Sequence, residues 1–262
     1  MSKIIFLAGM PRSGTTLIQG QLCKIGCVCL GEVGQTIQSI RREKIKKSKL
    51  SPKNHWNNKK YDELEYNEFW QPLIPRINNA DNVVKATEIV YQEAIRAYPD
   101  SILVDSSKHI GHLRNSLNGK YGSIVEVYHV IRDYKSWLRS IINYEKQYGL
   151  KKEKFSALRW FYVNKKLELF LKKNLVKSHT LYFEQLVLLD EFNDLEILTQ
   201  ISKFQRYDSI FFEMFGSFKN MDKINKGIIK YDARWIIDFN PPIYSFFLDR
   251  YLRTIKKKHF KN

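Results

Sequence analysis

Gly9-Met10-Pro11-Arg12-Ser13-Gly14-Thr15-Thr16 is the stretch whose reading decides the fold. Before it, Lys3 to Ala8 is a short run of apolar residues that reads as a buried strand. After it, Thr15 opens a helical pattern through Leu22. Strand, glycine-containing loop and helix, in that order, bring backbone N–H groups and a helix N-terminus together, an arrangement that binds phosphate. The glycine spacing is that of a P-loop. A nucleotide-hydrolysing P-loop carries Lys directly after its second glycine, whereas here Thr15 holds that place and the cation stands earlier, as Arg12. The lysine that reaches the terminal phosphates is therefore out of position, which argues against a kinase or ATPase. A glycine turn that merely reverses the chain is the plainer alternative. The arginine, second glycine and paired threonines in register favour phosphate binding.

Working outward, Cys27 to Leu30, Ser101 to Asp105, Ser123 to Ile131 and Thr180 to Phe183 are further strand candidates. Helical spacing occupies Gly111 to Leu117 and much of Tyr134 to Asn174. The alternation predicts an α/β fold, a P-loop-type central parallel sheet flanked by helices. The 262 residues suit one domain spanning 1–262. An insertion at 41–80, flexible or used in recognition, is expected within it, because Lys46 to Lys60 has no apolar period and Pro72 and Pro75 interrupt the apolar pattern beyond it.

Lys and Arg number 44 against 27 Asp and Glu, a formal charge of +17 that favours anionic partners. Much of the excess lies in Arg41 to Lys60 and Lys256 to Lys261, which read as solvated surface and locate no site. Cys23, Cys27 and Cys29 lack the spacing of a zinc site or a disulfide framework. The apolar run Ile4 to Met10 is too short for a signal-peptide core or a membrane span, so the expectation is a soluble, cytoplasmic protein.

Pro11 to Thr16 matches throughout the loop Pro-(Arg/Lys)-Ser-Gly-Thr-Thr, and the chain here resembles the sulfotransferases that use 3′-phosphoadenylyl sulfate (PAPS). In that family the loop takes the 5′-phosphosulfate, which implies binding roles for Arg12, Ser13, Gly14, Thr15 and Thr16. A second family element, Arg-Asp after a strand with a Ser further on, is matched by Arg132-Asp133 and Ser140; in the family this Arg and Ser hold the 3′-phosphate. A guanidinium forks onto phosphate oxygens, and a hydroxyl two helical turns on adds a donor. The resemblance is closest to the branch with tyrosylprotein sulfotransferases and bacterial relatives. Phe183-Glu184-Gln185-Leu186-Val187 looks like that branch's Tyr-Glu-Gln-Leu-Val, with Phe183 in place of a tyrosine that touches the nucleotide, a contact Tyr182 is expected to supply instead. Tyr231-Asp232-Ala233-Arg234-Trp235 resembles the C-terminal element whose basic residue before Trp reaches the nucleotide, which points to Arg234.

The resemblance implies transfer of a sulfuryl group from PAPS, releasing 3′,5′-ADP, to an acceptor hydroxyl or amine. Such a reaction needs a base for the acceptor's proton and cations facing the leaving oxygen. Gly31-Glu32 stands where the tyrosylprotein branch carries its catalytic glutamate, and Glu32 is the preferred base. Val104-Asp105-Ser106-Ser107-Lys108-His109 ends another strand, at the sheet edge where open α/β folds place ligands. Lys108 is assigned, with Arg12, to the leaving oxygen. His109 is the alternative base, since an imidazole ordinarily titrates near neutrality. Asp105 is read as structural, although after an apolar strand it could pass for a magnesium-anchoring aspartate. No metal is expected, because fixed Arg and Lys side chains can carry the charge. A P-loop small-molecule kinase and a basic nucleic-acid-binding protein are the rival readings. No nucleic-acid signature accompanies the basic runs. A glycan, a peptide tyrosine or a small metabolite all remain open as acceptor.

Overall fold

The computed structural model describes residues 2–46, 67–147, 156–188, 202–207, 210 and 212. In chain order these form β1 (Lys3–Gly9), α1 (Thr15–Lys24), β2 (Val28–Gly31), α2 (Val33–Lys46), a 3-10 turn (Gln71–Leu73), α3 (Ile74–Asn79) and α4 (Val83–Ala97). Then come β3 (Ile102–Lys108), α5 (Ile110–Asn118), a 3-10 turn (Gly122–Ile124), β4 (Val125–Ile131), α6 (Tyr134–Gln147), α7 (Ser156–Lys173), β5 (Ser178–Tyr182) and α8 (Phe183–Leu188). The five strands make one parallel sheet flanked by helices, in the order β2-β3-β1-β4-β5. The α/β fold expected from the alternation of apolar runs is the fold observed.

Strands β1, β3 and β4 are buried along almost their whole length, as parallel strands covered on both faces must be, which is why Ile4 to Ala8 and Ile102 to Val104 read as unbroken apolar runs and β4 is apolar apart from Glu126 and His129. Ile4 pairs with Leu103 and Ile5 with Val104 in parallel register. After a register shift between Phe6 and Ala8, Ala8 stands beside Lys108, and after one between Cys29 and Gly31, β2 brings Gly31 beside Asp105. The C-terminal ends of β1, β2 and β3 thus lie side by side, at the edge where a parallel sheet presents its loops.

The described residues fall into two compact units. The first takes 2–8, 15–128 and 202–212, the second 9–14 and 129–188. In the first, α4 starts at Asn82, whose side chain accepts from Lys85 N at 3.0 Å as a helix cap, and it buries Ala86, Val90, Tyr91 and Ala94 at helical spacing. The ends of the 41–80 segment are helical here: α2 runs to Lys46, and Trp70, Leu73 and Ile77 are buried. Arg41 donates to the carbonyls of Ile77 and Ala80, tying the two ends together. Lys46 to Lys60, apart from the last residue of α2, lies outside the described residues.

The core of the second unit is aromatic. Met10, Ile131, Tyr134, Trp137, Leu138, Trp160 and Tyr182 form one buried cluster. Among the described residues no helix is long and apolar enough to cross a membrane.

Candidate functional site

The second unit holds the loop from Gly9 to Gly14. Its shape depends on two glycines with positive φ, +157° at Gly9 and +100° at Gly14. A Cβ on Gly9 would lie 2.6 Å from the Val130 carbonyl oxygen, and one on Gly14 would lie 2.1 Å from the Phe183 ring. Neither position admits another residue without movement. Arg12 itself sits at φ +70°, a left-handed conformation that costs a non-glycine residue on the order of 1–2 kcal/mol.

Three hydrogen bonds hold this strained turn: Ser13 N donates to Met10 O at 3.1 Å, Trp137 Nε1 to Pro11 O at 2.8 Å and Arg132 Nη1 to Arg12 O at 3.1 Å. The C=O and N–H of a trans peptide point opposite ways. With Pro11 O turned onto Trp137, the Arg12 N–H therefore faces away from the indole.

Side chains around the loop supply two guanidinium groups and several hydroxyls. Arg12 Nε donates to Ser140 Oγ at 3.1 Å, and its guanidinium stands 5.4 Å from the Tyr144 ring centroid. Arg132 Nε donates to Ser136 Oγ at 2.7 Å, and its guanidinium lies 4.8 Å above the Phe183 ring. The structure therefore pairs Ser140 with Arg12. The hydroxyl on Arg132 is Ser136, one helical turn along α6, which the sequence reading does not single out although an Arg-x-x-x-Ser spacing at a helix start could suggest it. Ser13 Oγ is buried and has no hydrogen-bond partner among the described residues. An orphaned buried hydroxyl between two obligatory glycines, with Arg12 on the loop and Arg132 bonded to its backbone, fits an anionic, phosphate-bearing ligand.

Tyr182 and Phe183 take different places. Tyr182 ends β5 inside the aromatic cluster, where burial pushes its phenol above the usual range. Phe183 opens α8 and meets Gly14 and Arg132. Glu184, next along, accepts from Asp133 N at 2.9 Å, and burial raises its carboxyl above the ordinary carboxylate range. Arg234 lies outside the described residues.

The first unit contains the other predicted group. Glu32 and Lys108 form an ion pair with side chains 17% and 11% exposed, so the charges are largely removed from water. Both stand at strand ends. Gly31, at φ +75°, turns the chain out of β2 so that Glu32 precedes α2, whose first turn closes with Thr36 N donating to Glu32 O. Lys108 has φ +65°, strain of the kind that clusters at ligand sites.

Asp105 holds this turn in place. Its carboxylate accepts from Tyr91 Oη at 2.6 Å, from Ser107 N at 2.9 Å, from Ser107 Oγ and from the Val33 backbone N–H. Burial raises its pKa to about 6 against the lowering effect of those bonds. Ser107 Oγ also accepts from Gly34 N at 2.8 Å, a second link between β3 and the start of α2. His109 is exposed, precedes α5 and stands 6.1 Å, ring to ring, from His112. Thr15 and Thr16 begin α1, the former buried. Among the described residues no three His, Cys, Asp or Glu side chains are grouped to hold a metal ion.

Solved structures with a similar fold include sulfotransferases and a putative kinase from Chloroflexus aurantiacus (TM-score 0.37, 11% identity, over 77% of this chain and 94% of that one). The sulfotransferase domain from the Synechococcus PCC 7002 olefin synthase is similar with a TM-score of 0.50 and 16% identity, over 92% of this chain and 90% of that one. The chain has a sulfotransferase-like fold. The sulfotransferase domain from the curacin biosynthetic pathway (TM-score 0.49, 15% identity, 92% of this chain and 78% of that one) and sulfotransferase STF9 from Mycobacterium avium (0.47, 11%, 88% and 69%) are also similar. No family model and no curated protein matches the chain.

Proposed function

We propose that this protein is a metal-independent sulfotransferase that uses PAPS as donor and an acceptor hydroxyl or amine as nucleophile. The observation that carries this reading is the loop Gly9 to Gly14, with its buried orphan Ser13 hydroxyl, two obligatory glycines and a guanidinium where an NTPase has none. Phe183-Glu184-Gln185-Leu186-Val187, which opens α8 against Gly14, supports placing the chain near the tyrosylprotein branch. Three free, buried cysteines suit a reducing, cytoplasmic setting.

When bound, the nucleotide supplies an activated sulfuryl group on a phosphate oxygen that can leave. In the second unit the loop N–H groups, Ser13 Oγ and Arg12 hold the phosphosulfate, and Arg132 with Ser136 binds the phosphate on the ribose. Ser140 orients the Arg12 guanidinium by accepting from its Nε. In the first unit Glu32 takes the acceptor's proton as its oxygen becomes nucleophilic. Lys108 has three donors; one fixes the Glu32 carboxylate and the others stabilise negative charge on the leaving oxygen. Asp105 is a positioning residue, acting through Val33 and Ser107 on the turn that carries Glu32. His109 helps to place the acceptor.

Incubation with PAPS labelled in the sulfuryl group, and a panel of sugars, tyrosine peptides and small metabolites, tests the reading. Label should move to one class of acceptor without added magnesium. Release of label only as inorganic sulfate, or a requirement for ATP and magnesium, would overturn it.

A further inference from the structure

On the first unit, an open depression of about 480 Å³ lies between α2 and α5, a volume in the range of small-ligand sites. Gln35 and Gln38 line it from α2, His112, Arg114 and Asn115 from α5, and His109 from the position before α5. Among the described residues its lining holds no carboxylate and no large apolar side chain. Most small-molecule pockets are chiefly apolar, so this one suits a ligand that hydrogen-bonds all round and carries negative charge.

The depression is built by specific packing. Gly34 lets α2 approach α5, since a Cβ there would meet the His112 ring at 2.2 Å. Across this contact Gln38 Nε2 and His112 Nε2 stand 3.4 Å apart, and His112 is only 7% exposed, so its ring is a fixed wall. Arg114 is exposed and supplies the cation. The site also adjoins the proposed chemistry along the chain: Glu32 precedes the turn that carries Gln35, and Lys108 precedes His109.

Resting on the sulfotransferase reading, we infer that this depression holds the acceptor and that the acceptor is an acidic saccharide, its hydroxyls met by Gln35, Gln38 and Asn115 and its carboxylate by Arg114. A peptide tyrosine, which would present an aromatic ring, finds no large apolar side chain in this lining. Gly111 provides a clean way to block the site. It lies in α5 and lines the depression, with nothing within 4 Å of a Cβ position, so a side chain can start there without straining the helix packing.

Calorimetry with a glucuronate-containing disaccharide, its methyl ester and N-acetyltyrosine amide tests this without turnover. The acid should bind the wild-type protein at least about tenfold more tightly than the ester, the loss expected when a charged hydrogen bond is removed. Arg114→Ala should weaken the acid by a similar factor and leave the ester unchanged, and Gly111→Trp should abolish binding of both. All variants should bind 3′,5′-ADP as the wild type does, which shows that they are folded. Absence of acid binding, equal binding of acid and ester, tighter binding of the tyrosine amide, or indifference to both substitutions overturns the inference. Acid binding as described with no affinity for 3′,5′-ADP would leave the saccharide site standing and refute the transfer reaction.

Discussion

Replacing Gly14 by Ala tests whether the loop is shaped as described. At φ +100° an L-residue is strained, at about 1–3 kcal/mol. The new methyl would also stand 2.1 and 2.3 Å from two carbons of the Phe183 ring, and overpacking of this kind costs a further 1–3 kcal/mol or so. The expected destabilisation is therefore about 2–6 kcal/mol, a large share of the roughly 5–15 kcal/mol that holds a typical domain folded. Only the collision depends on Phe183. In a double-mutant cycle, Phe183→Ala should cost about 3–5 kcal/mol alone as a truncated buried ring. Combined with Gly14→Ala, it should cost about 1–3 kcal/mol less than the sum of the single changes, because the ring that met the methyl is gone. Urea unfolding of the four proteins measures this. Strict additivity, or a Gly14→Ala protein as stable as the wild type, would refute the packing of Phe183 onto the loop.

Glu32→Gln should retain 3′,5′-ADP binding and lose about a hundredfold to ten-thousandfold in turnover, whereas His109→Ala should cost less; the reverse order in steady-state rates would make His109 the base. Two buried groups should oppose each other as pH falls. Burial depresses His129 to about 4, so its contribution to stability is complete above about 6.5 and is lost as pH falls through 4, on the order of 3 kcal/mol in all. Asp105, raised to about 6, works the other way, with stability present below about 4 and lost as pH rises through 6. Urea midpoints between pH 7 and pH 4 should therefore drop more steeply on acidification for Asp105→Asn than for wild type, and less steeply for His129→Gln. Unchanged slopes in both variants would contradict these environments.

The parts of this protein that are legible in its sequence are those fixed by neighbours along the chain. The strands around Ile4, Val104 and Val127 are plain because burial on both faces favours apolar residues, despite buried polar groups such as Asp105, Glu126 and His129, and the loop is plain because Gly9, Arg12 and Gly14 are confined to six positions. Helix α4 carries an equally local signal, with Asn82 as cap and Val83, Ala86, Val90 and Ala94 on one face, yet is absent from the expected elements. Spacing cannot show partnership across the fold. Glu32 and Lys108 are 76 positions apart and meet only because β2 and β3 are neighbours in the sheet. Ser136 on Arg132 is a contact four residues along the chain, whereas Ser140 on Arg12 spans 128 positions and accompanies a left-handed turn at Arg12 that a sequence does not reveal in a non-glycine residue.

The central claim is that the Gly9 to Gly14 loop and Arg132 bind an adenosine bisphosphate rather than a nucleoside triphosphate. Calorimetric titration of the wild-type protein with 3′,5′-ADP in EDTA, beside ATP with magnesium, tests it most directly. The account predicts metal-independent binding of 3′,5′-ADP that weakens at least about tenfold in Arg132→Ala and measurably in Ser136→Ala, while ATP with magnesium binds poorly. Tight binding of ATP that requires magnesium, or 3′,5′-ADP binding that is absent or indifferent to Arg132→Ala, would contradict it.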